Sequence, residues 1–452
     1  MRISWSLKKV NFIPQSDKMR KIDVVFFWTC FLFLVPAVLA GVPGRDFPGS
    51  DTLIRARRPV SSLPGITLPT GFNASVFADT LGRARHLAVA PNGDVYVKLE
   101  RLRNGHGIIR LKDENGDGIS ESAVGFGNYP GTGMAIQGNN LYASSNSAVY
   151  RYNLTNGAVD PAADPTVVVD GLIDKRQHAA KSITLDGAGN LYVNIGAPSN
   201  VCQEKDRAKG SPGMNPCPIL DSAGGIWMFR ADGQNQSYQH GSRYATGLRN
   251  VVGLGWNHSN NELYVTQHGR DMFFQYWPEL FSQQSGAENP AEELFRVRKG
   301  SDCGWPYCYY DNDKKQKLLN PEYGGDRVKT GPCDGKEKSI LQFPGHLAPN
   351  AILFYTGSQF PERYKNGAFI AFHGSWNRSP EPQEGYYVVF VPMKDGMPNG
   401  PWEVFADGFA GAAKEPGKAE YRPTGLAQGP DGSLYVSDDQ KGRIWKITYR
   451  NK

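Results

Sequence analysis

Short runs of alternating apolar and polar residues, each broken by a Gly-, Asn- or Asp-containing turn, recur from Pro64 to the C-terminus. The stretch Gln177–Gly196, QHAAKSITLDGAGNLYVNIG, shows the pattern most fully. Its second half alternates, turns at Asp-Gly-Ala-Gly-Asn and alternates again, which predicts a β-hairpin. Related units lie at His86–Val97 (continued by Gly107–Leu111), Met134–Tyr152, Ser182–Val193, Val252–Thr266, Ala351–Phe372 and Thr424–Ile447. Where no loop intervenes the units are spaced by about 50 residues, near the length of a four-stranded propeller blade. No stretch carries a long helical period. The pattern predicts an all-β chain, a single six-bladed β-propeller over residues 64–452. The intervals 197–225 and 267–350 are stretched, and insertions in repeat folds collect on one face, often the binding face.

The first residues break the pattern. Lys18, Arg20 and Lys21 precede the apolar run Val24–Ala40, which ends in Val-Leu-Ala before Gly41. A basic segment, an apolar segment and small residues at the −3 and −1 positions predict a cleaved secretory signal peptide over residues 1–40. An uncleaved anchor is the alternative, disfavoured by the shortness of the run and by Pro36. Residues 41–63 are rich in Pro, Arg and Ser and read as a linker or propeptide. A secreted, extracellular glycoprotein is expected, with no membrane attachment after cleavage. Asn-x-Ser/Thr sequons begin at Asn73, Asn153, Asn235, Asn257 and Asn377, the last weakened by Pro380. Once Cys30 leaves with the signal, Cys202 and Cys217 bracket one insertion and Cys308 and Cys333 another, as loop-closing disulfides would. Cys303 is left over as a buried thiol. The charge of +6 is small for 452 residues and Lys and Arg are scattered, which argues against a nucleic-acid surface.

Candidate chemistry falls at the ends of the repeated units. His178 stands just ahead of the third unit, and Arg249-Asn250 stands at the equivalent place ahead of the fourth. Gln267-His268-Gly269-Arg270-Asp271 follows the fourth unit, Phe372-His373-Gly374-Ser375-Trp376-Asn377-Arg378 ends the fifth, and Tyr421-Arg422-Pro423 precedes the last. Equivalent positions of neighbouring blades share one face. Three arginines, three histidines and an indole should therefore converge there, a set suited to a planar polycarboxylated ligand. Separately, Asp113, Asn115, Asp117 and Glu121 space oxygen ligands around Gly118 like the front of a calcium loop, although position 12 is Val124 rather than a bidentate Glu. A structural Ca²⁺ site or a metal-free polar turn both fit.

RQHAAKSITLDGAGNLYVNIG, GLRNVVGLGW, ELYVTQHG, CGWPY, FIAFHGSWNR and RPTGLAQGPDGSLYVSDD together resemble the soluble pyrroloquinoline-quinone-dependent sugar dehydrogenases. The resemblance is nearest to the sorbosone-dehydrogenase-like branch with its fungal pyranose dehydrogenases, and it covers roughly residues 64–449. It implies pyrroloquinoline quinone (PQQ) and Ca²⁺ as cofactors. It makes His178 the general base that takes the anomeric proton as hydride leaves C1 of a pyranose or related aldose. It places Arg249, Asn250 and Gln267 on the cofactor, and Gly269 and Arg270 as backbone-carbonyl ligands of the catalytic Ca²⁺. Arg422 matches the first of two arginines that clamp the cofactor carboxylates. Within the converging set, His268, His373, Trp376 and Arg378 are further cofactor contacts. The chain departs from the pattern at Thr424, where the second clamping arginine is expected, and in lacking an evident lysine in the fifth unit, for which Arg378 or His373 could substitute.

Electrons would pass to an external acceptor such as a secreted redox protein or cytochrome domain, because no Cys-x-x-Cys-His haem motif is present. One alternative is a calcium-dependent lactonase of the same architecture, which needs a cluster of carboxylates and amides at the blade entries. The other is a non-enzymatic carbohydrate- or protein-binding propeller, which needs no convergence of Arg and His.

Overall fold

A computed structural model describes residues 65–450. The signal and linker segments, with Cys30, lie outside the described residues. The repeats fold as six blades, each built on four antiparallel strands. Blade 1 runs through Ala84–Val89, Val95–Arg103, His106–Lys112 and Ser122–Phe126, and blade 2 through Met134–Gln137, Asn140–Ser144, Val149–Thr155 and Thr166–Asp170. Blade 3 comprises Ile183–Leu185, Asn190–Ile195, Gly225–Arg230 and Ser242–Thr246, and blade 4 comprises Val251–Asn257, Glu262–Gln267, Glu292–Val297 and Leu341–Phe343. Blade 5 holds Pro349–Phe354, Ala368–Phe372, Tyr387–Val391 and Glu403–Ala406. Blade 6 holds Pro423–Gln428, Leu434–Asp438 and Ile444–Tyr449, and takes its fourth strand, Phe72–Ala78, from the other end of the chain.

That exchanged strand closes the ring. Phe72 pairs with Tyr449 and Val76 with Trp445, so backbone groups that would form an open edge are satisfied. The packing is equally circular. Blade strands are apolar on both faces because each sheet is covered on both sides by neighbouring blades. Six buried clusters fill the six blade interfaces in turn: around Val97 and Tyr435 between blades 6 and 1, and Tyr96 and Leu141 between 1 and 2. Leu191 and Val168 join blades 2 and 3, Tyr192 and Val265 join 3 and 4, and Tyr264 and Ile370 join 4 and 5. Phe369 and Trp445 join 5 and 6.

The two stretched intervals form structured insertions. Disulfides Cys202–Cys217 and Cys308–Cys333 close them as expected, and Cys303 is free and buried. Trp305 packs against the first disulfide and donates its indole N–H to Asn200 O at 3.0 Å, tying one insertion to the other. Of the sequon asparagines, Asn73, Asn153 and Asn235 are exposed, but Asn257 is buried with its Oδ1 accepting from Ser259, so that sequon is closed to a glycan. Among the described residues no helix is long and apolar enough to cross a membrane.

Phe72 is the latch of the closing strand, its ring edge-on to Phe360, Tyr364 and Phe405. Phe72→Ala is expected to lower stability by about 3–5 kcal/mol. Denaturant unfolding checks this, and a loss below 1 kcal/mol, roughly the cost of a surface change, contradicts it.

Candidate functional site

Inner strands of neighbouring blades begin on one face, and each second strand, being antiparallel, ends there. The sequence therefore delivers side chains to one end of the central channel from both strands of a hairpin. A cavity of about 530 Å³ opens there. Its wall includes Arg85 and Thr132 at the entries of blades 1 and 2, His178 at blade 3, Asn250 at blade 4, and Asn350 and Arg422 at blades 5 and 6. His268, His373 and Trp376 arrive from second-strand ends. Six residues singled out from the sequence thus share one cavity: His178, Asn250, His268, His373, Trp376 and Arg422.

His178 has a left-handed backbone, φ 54°, which a non-glycine residue adopts only when its surroundings hold it. Gly196 makes that possible: a Cβ there would lie 2.6 Å from the His178 carbonyl oxygen and 2.7 Å from its Cβ. His178 Nδ1 lies 2.5 Å from Ala197 O. A carbonyl only accepts, so Nδ1 carries the proton and Nε2 keeps its lone pair. Burial, then the nearby Arg249 charge, pushes the imidazole down to about 3. His268 is fixed in the opposite tautomer by Pro349 O at 3.1 Å, and burial pushes it down to about 4. His373 donates Nε2–H to Asp439 at 2.8 Å.

Arg249 and Gln267 lie one layer beneath the wall. The Arg249 guanidinium donates to Asn200 O at 3.1 Å, Asn200 Oδ1 at 3.0 Å, Gly269 O at 2.8 Å and Asp271 at 2.7 Å. Gln267 accepts from the Arg249 backbone N–H at 3.0 Å. Asp271 is the hub: its buried carboxylate also accepts from Arg207 of the disulfide loop at 2.7 Å and from Asn377 of blade 5 at 2.5 Å. Burial alone would raise its pKa, yet Arg249 and Arg207 hold it well below the carboxylate range. Arg270 turns away into an ion pair with Glu322 at 2.5 Å and lies over the Phe273 ring. The carbonyls at Gly269 and Arg270 are the metal-facing groups expected there. Gly269 O accepts from Arg249 at 2.8 Å, and neither Gly269 nor Arg270 is among the residues lining the cavity.

Arg378 is not at the cavity. Its guanidinium is saturated by Pro382 O, Ala287 O, Gly345 O and Glu288, where it fastens the blade 5 loop to the insertion. Thr424 does not face the cavity either. A bulge between Pro423 and Gly425 breaks the alternation, and the Thr424 hydroxyl donates to Arg422 O at 2.9 Å. Besides Arg422 the wall holds the exposed Arg176 and the buried Arg85, which the sequence reading missed by starting the first unit one residue late, at His86. Arg85 pairs with Asp439 at 2.6 Å, and Asp439 also holds His373. Arg422 spends Nε and Nη2 on His373 O and Gly374 O, and its Nη1 makes no hydrogen bond among the described residues.

Two buried polar atoms of the wall residues have no partner, Asn250 Oδ1 and Arg85 Nε. A wall with Arg85, Arg176, Arg422 and three histidines, and Glu100 as its one acid, fits a planar, polyanionic, hydrogen-bonding ligand. In the outer loop of blade 1, carboxylate oxygens of Asp113, Asp117 and Glu121 approach within 4.8 Å of one another. Asn115 lies among them, its Nδ2 donating to Asp117 and Glu121. No other such cluster of His, Cys, Asp and Glu occurs among the described residues.

The family model described as TrAA12-like matches residues 66–450, and the chain belongs to this family. A pyrroloquinoline quinone-dependent pyranose dehydrogenase of Coprinopsis cinerea is 27% identical over 240 residues, 46% of this chain and 31% of that protein. The chain thus spans less than one third of that relative. Among solved structures, that of Trichoderma reesei Carbohydrate-Active Enzymes Family AA12 with iodide superposes with a TM-score of 0.70 at 20% identity, covering 87% of this chain and 100% of that one. The holo PQQ domain of the Coprinopsis cinerea pyranose dehydrogenase gives a TM-score of 0.68 at 21% identity, covering 87% and 98%.

Asp271→Asn removes the charge that balances two buried guanidiniums and is expected to cost about 3–5 kcal/mol at pH 7. Because the Asp271 pKa is lower folded than unfolded, the unfolded chain binds the proton first, and the wild-type advantage shrinks below about pH 4. Unfolding measured from pH 7 down to pH 3 checks both; an equal gap at all pH values contradicts the assignment.

Proposed function

We propose that the chain is a secreted quinoprotein oxidoreductase that oxidises a pyranose or related aldose at its anomeric carbon. The observation that carries this is His178, a neutral imidazole whose bare Nε2 belongs to a cavity ringed by Arg85, Arg422 and Asn250. The family membership and the pyranose dehydrogenase relative support it. When bound, pyrroloquinoline quinone accepts a hydride from the sugar C1, with Ca²⁺ polarising its carbonyl.

The residues present fit those groups. Arg85 and Arg422 would hold the cofactor carboxylates from adjacent blades 1 and 6, which supplies the second guanidinium that position 424 lacks. Asn250 and the backbone carbonyls of Gly269 and Arg270 would serve the quinone and the ion, with Arg249 and Gln267 fixing that loop from beneath. His178 Nε2 takes the anomeric hydroxyl proton. The imidazolium so formed keeps its Nδ1–H bond to Ala197 O, and Asp271 lies close enough to raise its pKa. Electrons then leave to an external acceptor, such as a secreted redox protein or cytochrome domain. The loop of Asp113, Asn115, Asp117 and Glu121 is assigned a structural Ca²⁺.

Two outcomes follow. Reconstitution with quinone and Ca²⁺ should support dye reduction across a panel of aldoses and ketoaldoses, and His178→Ala should lower turnover by about 10²–10⁴-fold without abolishing quinone binding. Quinone that binds without supporting turnover on any sugar contradicts the reading. In the cofactor-free protein, the His178 ring resonances should not titrate between pH 5 and 8; a midpoint near the ordinary histidine value of about 6.5 contradicts the assigned base.

A further inference from the structure

Trp376 is 54% exposed, the largest exposed aromatic side chain among the described residues. An exposed indole offers a flat apolar face and one N–H donor to a ligand. It lines the catalytic cavity, and it also lines a second cavity of about 1100 Å³ that the site described above does not use. The two cavities share Trp376 and Pro416 as a common wall. The second is formed by two facing loops, Ser379–Glu384 within blade 5 and Ala412–Lys418 on the way to blade 6.

Three observations define what this cavity would take. The first is the apolar indole face at its junction with the catalytic cavity. The second is Gln383 Oε1, buried and without a hydrogen-bond partner, in the wall. The third is the charge balance. Lys414 lies 3.7 Å from Glu384 and Lys418 lies 2.9 Å from Glu415, while the third lining acid, Glu381, accepts from Gln283 at 2.7 Å, so the wall carries one net negative charge and offers no site for an anion. An aromatic face with amide and carboxylate groups around it suits a polyhydroxylated ring, whose C–H face packs on an indole while its hydroxyls meet those groups. A docked protein would call for an extended patch of about 800 Å² on this side, whereas these loops make a concavity beside the catalytic one.

We infer that this second cavity is a sugar subsite, in which Trp376 and Gln383 hold the next ring of an oligosaccharide whose reducing-end ring lies against His178. The inference rests on the sugar-oxidising reading for what occupies the first cavity, and it moves Trp376 from the cofactor to the substrate. It makes short reducing oligosaccharides, rather than free monosaccharides, the preferred substrate class.

The test uses methyl glycosides, which lack the anomeric hydroxyl and cannot be oxidised, so binding is read independently of turnover. Calorimetry on the full chain would compare methyl glucoside with methyl cellobioside, methyl xyloside with methyl xylobioside, and methyl galactoside with methyl galactobioside. At least one disaccharide should bind about tenfold more tightly than its monosaccharide, and both Trp376→Ala and Gln383→Leu should bring that ratio close to one. Circular dichroism shows whether each variant is folded, and the Gln383 variant, a loop substitution, keeps the test open if the Trp376 variant is not. Equal affinities for mono- and disaccharides in all three pairs overturn the subsite, as does a disaccharide preference that survives both substitutions. Tighter disaccharide binding lost in the variants, from a protein that shows no quinone-dependent turnover, would uphold the subsite and refute the dehydrogenase reading.

Discussion

The site depends on one buried carboxylate. Asp271 lies where three chain segments meet and neutralises Arg249 from the entry of blade 4 and Arg207 from the disulfide loop, while accepting from Asn377 of the blade 5 loop. Taking such charges out of water is costly, and only a carboxylate with its lone pairs used by several donors recovers the cost. Asn200 then reaches back to both the Asp271 backbone N–H and the Arg249 guanidinium, so the disulfide loop becomes part of the site floor. Through Arg249 this lattice also holds the Gly269 carbonyl, at 2.8 Å.

Above that floor, the histidines are set by backbone oxygen more than by acids. His178 and His268 each face a carbonyl, at 2.5 and 3.1 Å, which selects the tautomer and leaves the ring neutral. His373 alone faces a carboxylate, and it shares that carboxylate with Arg85. The result is a division of labour. Neutral imidazoles and guanidiniums line the wall, Asp271 and Asp439 are kept behind, already paired, and the one acid among the lining residues, Glu100, is paired with Arg83. A polyanion entering the cavity therefore meets three arginines against a single acid.

Much of this was legible in the sequence because it is periodic. Alternation and turn chemistry located the inner hairpins, and equivalence of strand ends brought His178, Asn250, His268, His373, Trp376 and Arg422 to one face. The exceptions have physical causes. The closing strand Phe72–Ala78 has its partner at the far end of the chain, so no local signal distinguishes it from any other strand. Arg378 was read as a cavity residue from its neighbours, but the carbonyls that capture it come from Ala287 and Gly345, contacts fixed only by tertiary packing. Thr424 was set against the second clamping arginine by the family resemblance, and the bulge between Pro423 and Gly425 interrupts the pairing there. Arg85 was hidden by the choice of where a repeat begins, and Asp271 by being one acid in a run whose partners lie in other segments.

The central claim is that the cavity is built around paired guanidiniums of different blades for a planar polycarboxylate. It is tested most directly by titrating the protein with pyrroloquinoline quinone, in the presence of Ca²⁺ and without sugar, as wild type, Arg85→Leu, Arg422→Leu and the double variant. The account predicts one quinone per chain, affinity that falls about tenfold or more in each single variant, and a double variant weaker still. Binding untouched by Arg85→Leu, or no binding by the wild-type protein, would contradict it.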